Sequence, residues 1–182
     1  KGENKMAKHN VLFETDNFIP HCMNRAGVAD FDIDGGSPVV EGAVDSKNKE
    51  LYALAKPTAT AARVAIAYNP SVKYDVINGK VFPAHSTDDR DYTNPAGKAV
   101  DYFFPEVGVE FGILAAGVDG STAPVVGDFL EPTTTAKFAI KKAQTDAVAS
   151  FKVVDIKDAK YPTGDFSDDI EKVYIVKTAF NG

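Results

Sequence analysis

The stretch Tyr74-Asp75-Val76-Ile77-Asn78-Gly79-Lys80-Val81-Phe82 carries the clearest local signal in the chain. Two short runs of β-branched and aromatic residues flank Asn78-Gly79. An Asn-Gly pair suits a type I′ turn, because both central residues of that turn have positive φ angles. The stretch therefore predicts a β-hairpin with Asn78 and Gly79 at its tip.

Similar runs, bounded by Gly, Pro, Asn and Asp, recur along the chain and indicate further strands. The predicted strands are residues 63–68, 107–114, 123–130, 136–140, 150–156 and 172–178. Helical periodicity is weak and is confined to residues 47–55 and 168–172. Phe151, Val153 and Val154 break strict alternation, which favours a strand buried on both faces. The predicted fold is mainly β: a small barrel or sandwich of short strands.

The apolar positions of these strands define the predicted core. It comprises Val64, Ile66, Val76, Val81, Phe111, Ile113, Leu130, Phe138, Phe151, Val153, Val173 and Ile175. Residues 85–98 read as a polar loop, and residues 118–121 read as a hairpin turn because Asp119-Gly120 supplies positive φ angles.

The two halves of the chain resemble each other when one is shifted by 86 residues. Pro38-Val39-Val40 then falls on Pro124-Val125-Val126, and Tyr52-Ala53-Leu54 falls on Phe138-Ala139-Ile140. Two interpretations remain open at this point. The chain holds two copies of one small β unit, or two alanine-rich β segments resemble each other by chance.

The predicted organisation is an extended N-terminal arm at residues 1–36, a first β unit at 37–98 and a second at 99–182, with one merged domain as the alternative. The arm has little periodicity but contains Val11, Leu12, Phe13, Phe18, Ile19 and Met23. Such apolar content is too high for a free disordered tail. The arm is therefore expected to pack on its own barrel, on a capsid protein or on a second subunit.

Composition and charge exclude several classes of protein. The chain has 182 residues, a net charge of −6 and 44% hydrophobic residues, which is typical of a soluble globular protein. Its only basic doublet is Lys141-Lys142. Nucleic acid is not an expected partner, because phosphate binding requires clustered Lys and Arg. No run approaches 18 apolar residues, so no membrane association is predicted.

Residues 30–41 fit the calcium-loop pattern D-x-D-x-D-G-x5-E. The candidate metal ligands are Asp30, Asp32, Asp34 and Glu41. No amphipathic helix flanks the pattern, so an EF-hand is not expected, but calcium in another kind of loop stays open. The alternative is a solvated strand and turn, because Phe31 and Ile33 alternate with the aspartates.

No catalytic constellation is predicted. His9, His21 and His85 lack zinc-ligand spacing. His21 and Cys22 are adjacent, so in an extended chain they point to opposite sides. Asp165, Asp168 and Asp169 resemble the paired acids of glycosidases, but a surface loop is the simpler interpretation. We therefore expect no enzyme activity, and no cofactor other than the calcium considered above.

Three segments resemble a known family: Val126-Gly127-Asp128-Phe129-Leu130, Ala136-Lys137-Phe138 and Ala149-Ser150-Phe151-Lys152-Val153-Val154. They are similar to the β-rich decoration (head auxiliary or cement) proteins of tailed bacteriophages, which carry a V-G-D-x-L strand and a closing F-x-V strand. The resemblance covers about residues 107–178, with a fainter echo in 37–68. It implies a virion structural role, assembly in the host cytoplasm, oligomers and binding to the major capsid protein or another virion protein.

Two other functions remain open from the sequence. One is a phage tail or fibre component, because the chain is long and has an N-terminal segment that departs from the family. The other is a calcium- or carbohydrate-binding β-sandwich module. Sugar binding favours aromatic platforms, and the chain has seven Tyr and no Trp.

Overall fold

The computed structural model describes residues 8–15, 25–69, 74–77, 80–83, 88–162 and 168–182. The fold is mainly β, as the sequence predicts, and helix within these ranges is limited to two 3₁₀ turns at Asp89–Asp91 and Ala115–Gly117. The strands are β1 (Phe13–Glu14), β2 (Arg25–Val28), β3 (Pro38–Val44), β4 (Tyr52–Ala55), β5 (Ala65–Ala67), β6 (Tyr74–Ile77), β7 (Lys80–Pro83), β8 (Ala99–Phe103), β9 (Glu110–Leu114), β10 (Phe129–Pro132), β11 (Phe138–Lys141), β12 (Ser150–Pro162) and β13 (Asp168–Phe180).

Strands from the first half of the chain close into a five-stranded barrel in the order β2-β4-β3-β5-β8. Neighbouring strands are antiparallel except β2 and β4, which are parallel. Ala65 and Ala67 are fully buried here, and small side chains fit because few strands leave a narrow interior. Gly27 also needs its small size, since a Cβ there would lie 2.6 Å from Leu54 Cγ.

The second half of the chain forms most of a six-stranded antiparallel sheet in the order β1-β9-β13-β12-β10-β11. Its two longest strands, β12 and β13, each have 13 residues and pair with each other along their length. The N-terminal strand β1 forms one edge of this sheet, and its Phe13 pairs with Gly112 of the neighbouring strand β9. A Cβ on Gly112 would meet Phe13 Cβ at 2.9 Å, so glycine permits this close approach.

One hydrophobic core joins the barrel to one face of the sheet. At its centre, the rings of Phe103, Phe111, Phe151 and Phe138 pack edge to face, with successive centroids 6.2, 5.5 and 5.5 Å apart. Phe103 comes from the barrel and the other three come from the sheet. All the predicted core residues whose side chains are described are buried. The side chains of Val76 and Val81 lie outside the described residues.

The predicted hairpin at residues 74–82 is present as the separate two-stranded sheet β6-β7. Its register pairs Ile77 with Lys80, which leaves two residues for the connection. Asn78 and Gly79 lie outside the described residues, so the type I′ turn itself stays a prediction.

The shift of 86 residues has a structural counterpart in strand order. It places β4 on β11, and the two three-stranded units β4-β3-β5 and β11-β10-β12 share one antiparallel arrangement. The detailed match is weaker, because residues 38–40 begin a barrel strand whereas residues 124–126 form a loop. The two three-stranded units thus share strand order but not register, and both interpretations of the repeat stay open.

Two predicted strands begin three or more residues later than the sequence suggests. β9 starts at Glu110 rather than residue 107, and β10 starts at Phe129 rather than residue 123. A turn precedes each strand, closed by Gly108 and Gly127 with φ angles of +96° and +98°. These turns leave Val107, Val125 and Val126 exposed.

The irregular pattern in β12 coincides with a β-bulge and with apolar contacts on both faces of the strand, as predicted. Val153 pairs with Val176 and Asp155 pairs with Ile175, so Val154 is an extra residue. A bulge changes which face the following side chains occupy. Phe151 and Val153 lie in the core shared with the barrel, whereas Val154 packs against a second apolar cluster on the other face of the sheet.

The two helical segments suggested by the sequence are wrong. Asp45 Oδ1 accepts hydrogen bonds from the Lys47 and Asn48 amides, which makes a tight turn before β4. Residues 168–172 pair with β12 as a strand.

Residues 118–121 form a connection rather than a hairpin turn, because β9 and β10 are not neighbours in the sheet.

The described parts of the predicted N-terminal arm belong to the protein's own fold. Val11 and Leu12 are buried, and the Leu12 amide donates a 2.8 Å hydrogen bond to Asn69 Oδ1. Residues 25–28 form barrel strand β2, so residue 36 does not separate an arm from a β unit. Phe18, Ile19 and Met23 lie outside the described residues.

Candidate interaction site

The outer end of the β12-β13 pair projects beyond the six-stranded sheet. β10 pairs with β12 only at residues 151–152, and β9 pairs with β13 only at residues 173–177. Among the described residues, 158–162 therefore pair only with 168–172, and we call this two-stranded segment the ribbon. An isolated two-stranded ribbon is marginally stable in water. The ribbon therefore requires an anchor.

Arg90 provides that anchor from the 3₁₀ turn Asp89–Asp91. Its side chain is 1% exposed, and its Nη1 donates to Asp169 Oδ2 at 2.8 Å and to Glu171 Oε1 at 2.6 Å. The guanidinium carbon lies 3.6 Å from the centroid of the Tyr161 ring. Asp169, Glu171 and Tyr161 all belong to the ribbon, so one buried cation contacts both of its strands.

Local sequence fixes the orientation of Arg90. Asp88 caps the 3₁₀ turn by accepting a 2.9 Å hydrogen bond from the Arg90 amide. The same carboxylate accepts from Arg90 Nε at 3.0 Å and from Nη2 at 2.7 Å. These bonds hold Nε and Nη2 of the guanidinium against Asp88, so that Nη1 is directed at the ribbon. We call Arg90 and its three carboxylates, Asp88, Asp169 and Glu171, the arginine cluster.

Charge pairing outweighs the cost of burial in this cluster. Burial lowers the pKa of Arg90, but hydrogen bonds to the three carboxylates raise it more, so its pKa lies above the ordinary value. Burial raises the pKa of Asp88, but hydrogen bonds from Arg90 lower it more, so its pKa lies below the ordinary value. Both groups therefore stay charged in neutral solution.

The N-terminal segment attaches to the same turn. Lys8 Nζ pairs with the carboxylates of Asp91 and Asp88, and the His9 amide donates a 2.8 Å hydrogen bond to the Arg90 carbonyl. Residues 8–9, 88–91 and the ribbon are thus held together, although they are far apart in sequence. The result is a rigid projection on the surface of the protein.

The opposite face of the ribbon is open to solvent. Successive residues of a strand point to opposite faces, so Ile170 points away from Asp169, Glu171 and Arg90. Ile170 is 56% exposed and pairs with Lys160 across the ribbon. The free face of the ribbon thus exposes a large β-branched side chain beside the Asp158–Lys172 ion pair.

The structure places the calcium-motif residues in separate interactions. Asp34 Oδ1 lies 2.8 Å from His9 Nδ1, and Asp32 Oδ1 accepts a 2.9 Å hydrogen bond from the Ala96 amide. Asp30 is exposed. No group of three or more metal-ligating side chains occurs among the described residues. The calcium hypothesis stays a prediction, and these partners offset the repulsion that motivated it.

Glu41, the fourth motif residue, lies in a different cluster on the barrel. It accepts hydrogen bonds from Arg25 Nη1 at 2.8 and 2.9 Å and from the Tyr102 hydroxyl. Burial, followed by the Glu41 charge, raises the pKa of Tyr102 above its ordinary range. The donors come from strands that are distant in sequence, so the spacing of the motif could not reveal them.

A pocket of about 750 Å³ opens beside β2 and β4, and Asp30, Phe31, Asp45 and Lys56 are among its lining residues. Among the described residues, this pocket offers one place for the carbohydrate alternative, because Phe31 is an aromatic residue of its lining. Lys56 Nζ lies 4.9 Å from the centroid of the Phe31 ring. The ammonium group therefore lies over one face of that ring.

Other candidates from the sequence divide between described and undescribed residues. Asp169 binds Arg90 rather than forming an acid pair, and the side chain of Asp168 lies outside the described residues. His21, Cys22, His85 and Asp165 also lie outside them. Arg90 lies in the predicted polar loop, and its only local signal in the sequence is its position among the three aspartates of residues 88–91.

Comparisons of the chain with protein-family models, curated proteins and solved structures gave no match. Among the described residues, no helix has the length and apolar content needed to cross a membrane.

Proposed function

We propose that this chain is a non-enzymatic structural protein of a tailed-bacteriophage virion that decorates the capsid by binding the major capsid protein. The observation that carries the proposal is the anchored ribbon with Ile170 exposed on its free face. The family resemblance of residues 107–178 supports the identity of the partner. The protein would act as a homo-oligomer in the virion, after assembly in the host cytoplasm.

The ribbon suits such a role for two physical reasons. A projection that is already rigid loses little conformational entropy when it binds. Burying one large aliphatic side chain contributes about 1.5–3 kcal/mol, and a repeated lattice multiplies this through many copies. Asp158 and Lys172 form a 2.6 Å ion pair beside Ile170, which provides a polar rim.

The test measures co-sedimentation of the purified protein with capsids assembled from the major capsid protein of the same genome. Ile170→Asp should reduce binding at least tenfold, because it places a charge in an apolar contact. Val107→Asp is the matched control, since Val107 is 69% exposed in a different part of the fold. Both variants should keep the wild-type melting temperature.

Three outcomes would reject the proposal: no binding of the wild type to capsids, equal loss in both variants, or no loss in Ile170→Asp. Binding to purified tails instead of capsids would favour a tail component. Light scattering of the purified protein tests the expected oligomer separately.

A further inference from the structure

Residues from five neighbouring strands align in one row across the six-stranded sheet. Phe129 pairs with Lys141 on one side and Lys152 on the other, Lys152 pairs with Lys177, and Lys177 pairs with Glu110. Residues directly opposite each other in a sheet share one face. Their neighbours Leu130, Phe151 and Val176 are fully buried in the core, so the row lies on the outer face.

The row concentrates positive charge that the fold does not use. Lys152 and Lys177 face each other directly, which is unfavourable for two like charges. Lys177 lies 3.6 Å from Glu110, but among the described residues neither Lys141 nor Lys152 has an ion-pair partner. These lysines stand out in a chain whose net charge is −6.

An aromatic side chain lies within this charged row. Phe129 is half-buried between Lys141 and Lys152, and Lys152 Nζ lies 5.9 Å from the centroid of its ring. With strands about 4.8 Å apart, the row spans roughly 20 Å, which is the length of about six extended residues. A peptide segment could therefore follow the row and contact both its charges and its ring.

We infer that this row is a docking surface for an acidic segment of a protein partner. Carboxylates would pair with Lys141 and Lys152 and relieve the repulsion between Lys152 and Lys177, while an apolar side chain would cover Phe129. A nucleic acid fits less well, because Glu110 closes the row and the acidic chain repels a phosphate backbone. The row lies opposite the free face of Ile170, so the inference goes beyond the proposed function and does not depend on it.

The experiment measures fluorescence anisotropy of a labelled peptide of about ten glutamates with leucines interspersed, at low and physiological salt. The test variant is Lys152→Gln/Lys177→Gln in the full chain. The control is Lys47→Gln/Lys49→Gln, which removes the same charge from an exposed barrel loop. The row variant should bind about tenfold more weakly, since charge pairs at interfaces are strongly coupled, and the control should bind like the wild type.

The melting temperature separates binding from folding. The row variant should melt close to the wild-type temperature, because the repulsion that it removes between Lys152 and Lys177 offsets the lost ion pair between Lys177 and Glu110. Ile170→Asp should leave peptide binding unchanged, so failure of the capsid experiment does not affect this one. Equal loss in the row and control variants, or no loss in the row variant, would overturn the inference. Tighter row-dependent binding of single-stranded DNA or anionic vesicles would also overturn it.

Discussion

Arg90 and Arg25 each combine a carboxylate with an aromatic ring, but in different surroundings. Arg90 is 1% exposed, contacts three carboxylates and connects three distant segments of the chain. The Arg25 side chain is 38% exposed and pairs with Glu41 within the barrel, with its guanidinium 5.4 Å from the Tyr52 ring centroid. The difference shows that a buried arginine can hold several distant segments of the chain together, whereas an exposed arginine stabilises only its own surroundings.

The strongest test of this comparison replaces each arginine. Arg90→Met should destabilise the protein by up to about 3–5 kcal/mol, because it leaves three partly buried carboxylates without a counter-charge. Arg25→Met should cost about 1 kcal/mol or less, as expected for an exposed pair. Urea denaturation measures both values. Equal costs would show that burial does not distinguish the two clusters.

Hydrogen exchange would locate the effect of Arg90→Met. Amides in residues 158–162 and 168–172 should lose protection first, because the ribbon loses its anchor, whereas barrel strand β5 should keep its protection until global unfolding. Uniform loss throughout the chain would contradict the anchoring role.

Acid should weaken the buried cluster more than an exposed carboxylate. The pKa of Asp88 is below its ordinary value in the folded state, so its contribution is present above the unfolded pKa near 4 and is lost as pH falls further. Asp88→Asn should therefore lower stability at pH 7 and flatten the acid limb of the stability curve. Glu50→Gln is the control at an exposed carboxylate. Thermal denaturation between pH 2 and 7 provides the measurement, and an unchanged acid limb in Asp88→Asn would contradict the assignment.

Tyr161 gives a smaller effect with the opposite dependence on pH. Burial raises its pKa to about 12, so the neutral phenol contributes stability that is present below pH 10 and lost as pH rises toward 12. Its buried hydroxyl has no hydrogen-bond partner among the described residues. Tyr161→Phe should therefore change stability at pH 7 by less than about 1 kcal/mol while reducing the alkaline loss. Absorbance of tyrosinate at high pH would detect the missing late titration, and a large loss at pH 7 would contradict this account.

The smallest effect on stability is expected at the exposed cross-strand pair Lys152–Lys177, which contains no carboxylate. Lys152→Glu would place opposite charges across from each other and should raise stability by about 0.2–1 kcal/mol. Lys49→Glu makes the same charge change at an exposed loop residue and should have less effect. A difference in melting temperature at low salt that disappears at high salt would support the cross-strand explanation. A loss of stability in Lys152→Glu would contradict it.

Local patterns predicted the secondary structure and core better than the tertiary arrangement. Alternation identified Phe111 and Phe151 as core residues, and Asn78-Gly79 correctly located a hairpin. Strand order in the large sheet depends on contacts far apart in sequence, so no local pattern could place β13 beside β9.

The candidate site was less predictable for the same reason. Arg90 gained its role from Tyr161, Asp169 and Glu171, which lie some 70–80 positions later in the chain. Residues 30–41 match the spacing of a calcium loop, but Asp34 lies against His9, and Glu41 accepts a hydrogen bond from Arg25. The spacing of a motif indicates residue types and local geometry. It does not indicate which residues from other parts of the chain will donate hydrogen bonds to the motif.

The position of β13 has a consequence for biosynthesis. This strand follows all the others in the chain, yet it lies between β9 and β12 in the sheet. All barrel strands have been synthesised by Phe103, whereas the six-stranded sheet lacks its inner strand β13 until Phe180 has left the ribosome. At ordinary translation rates this leaves roughly 4–15 seconds in which Phe111 and later core residues have no finished sheet to enter. The nascent chain therefore passes through an interval in which it is prone to aggregate, and slower elongation would lengthen that interval.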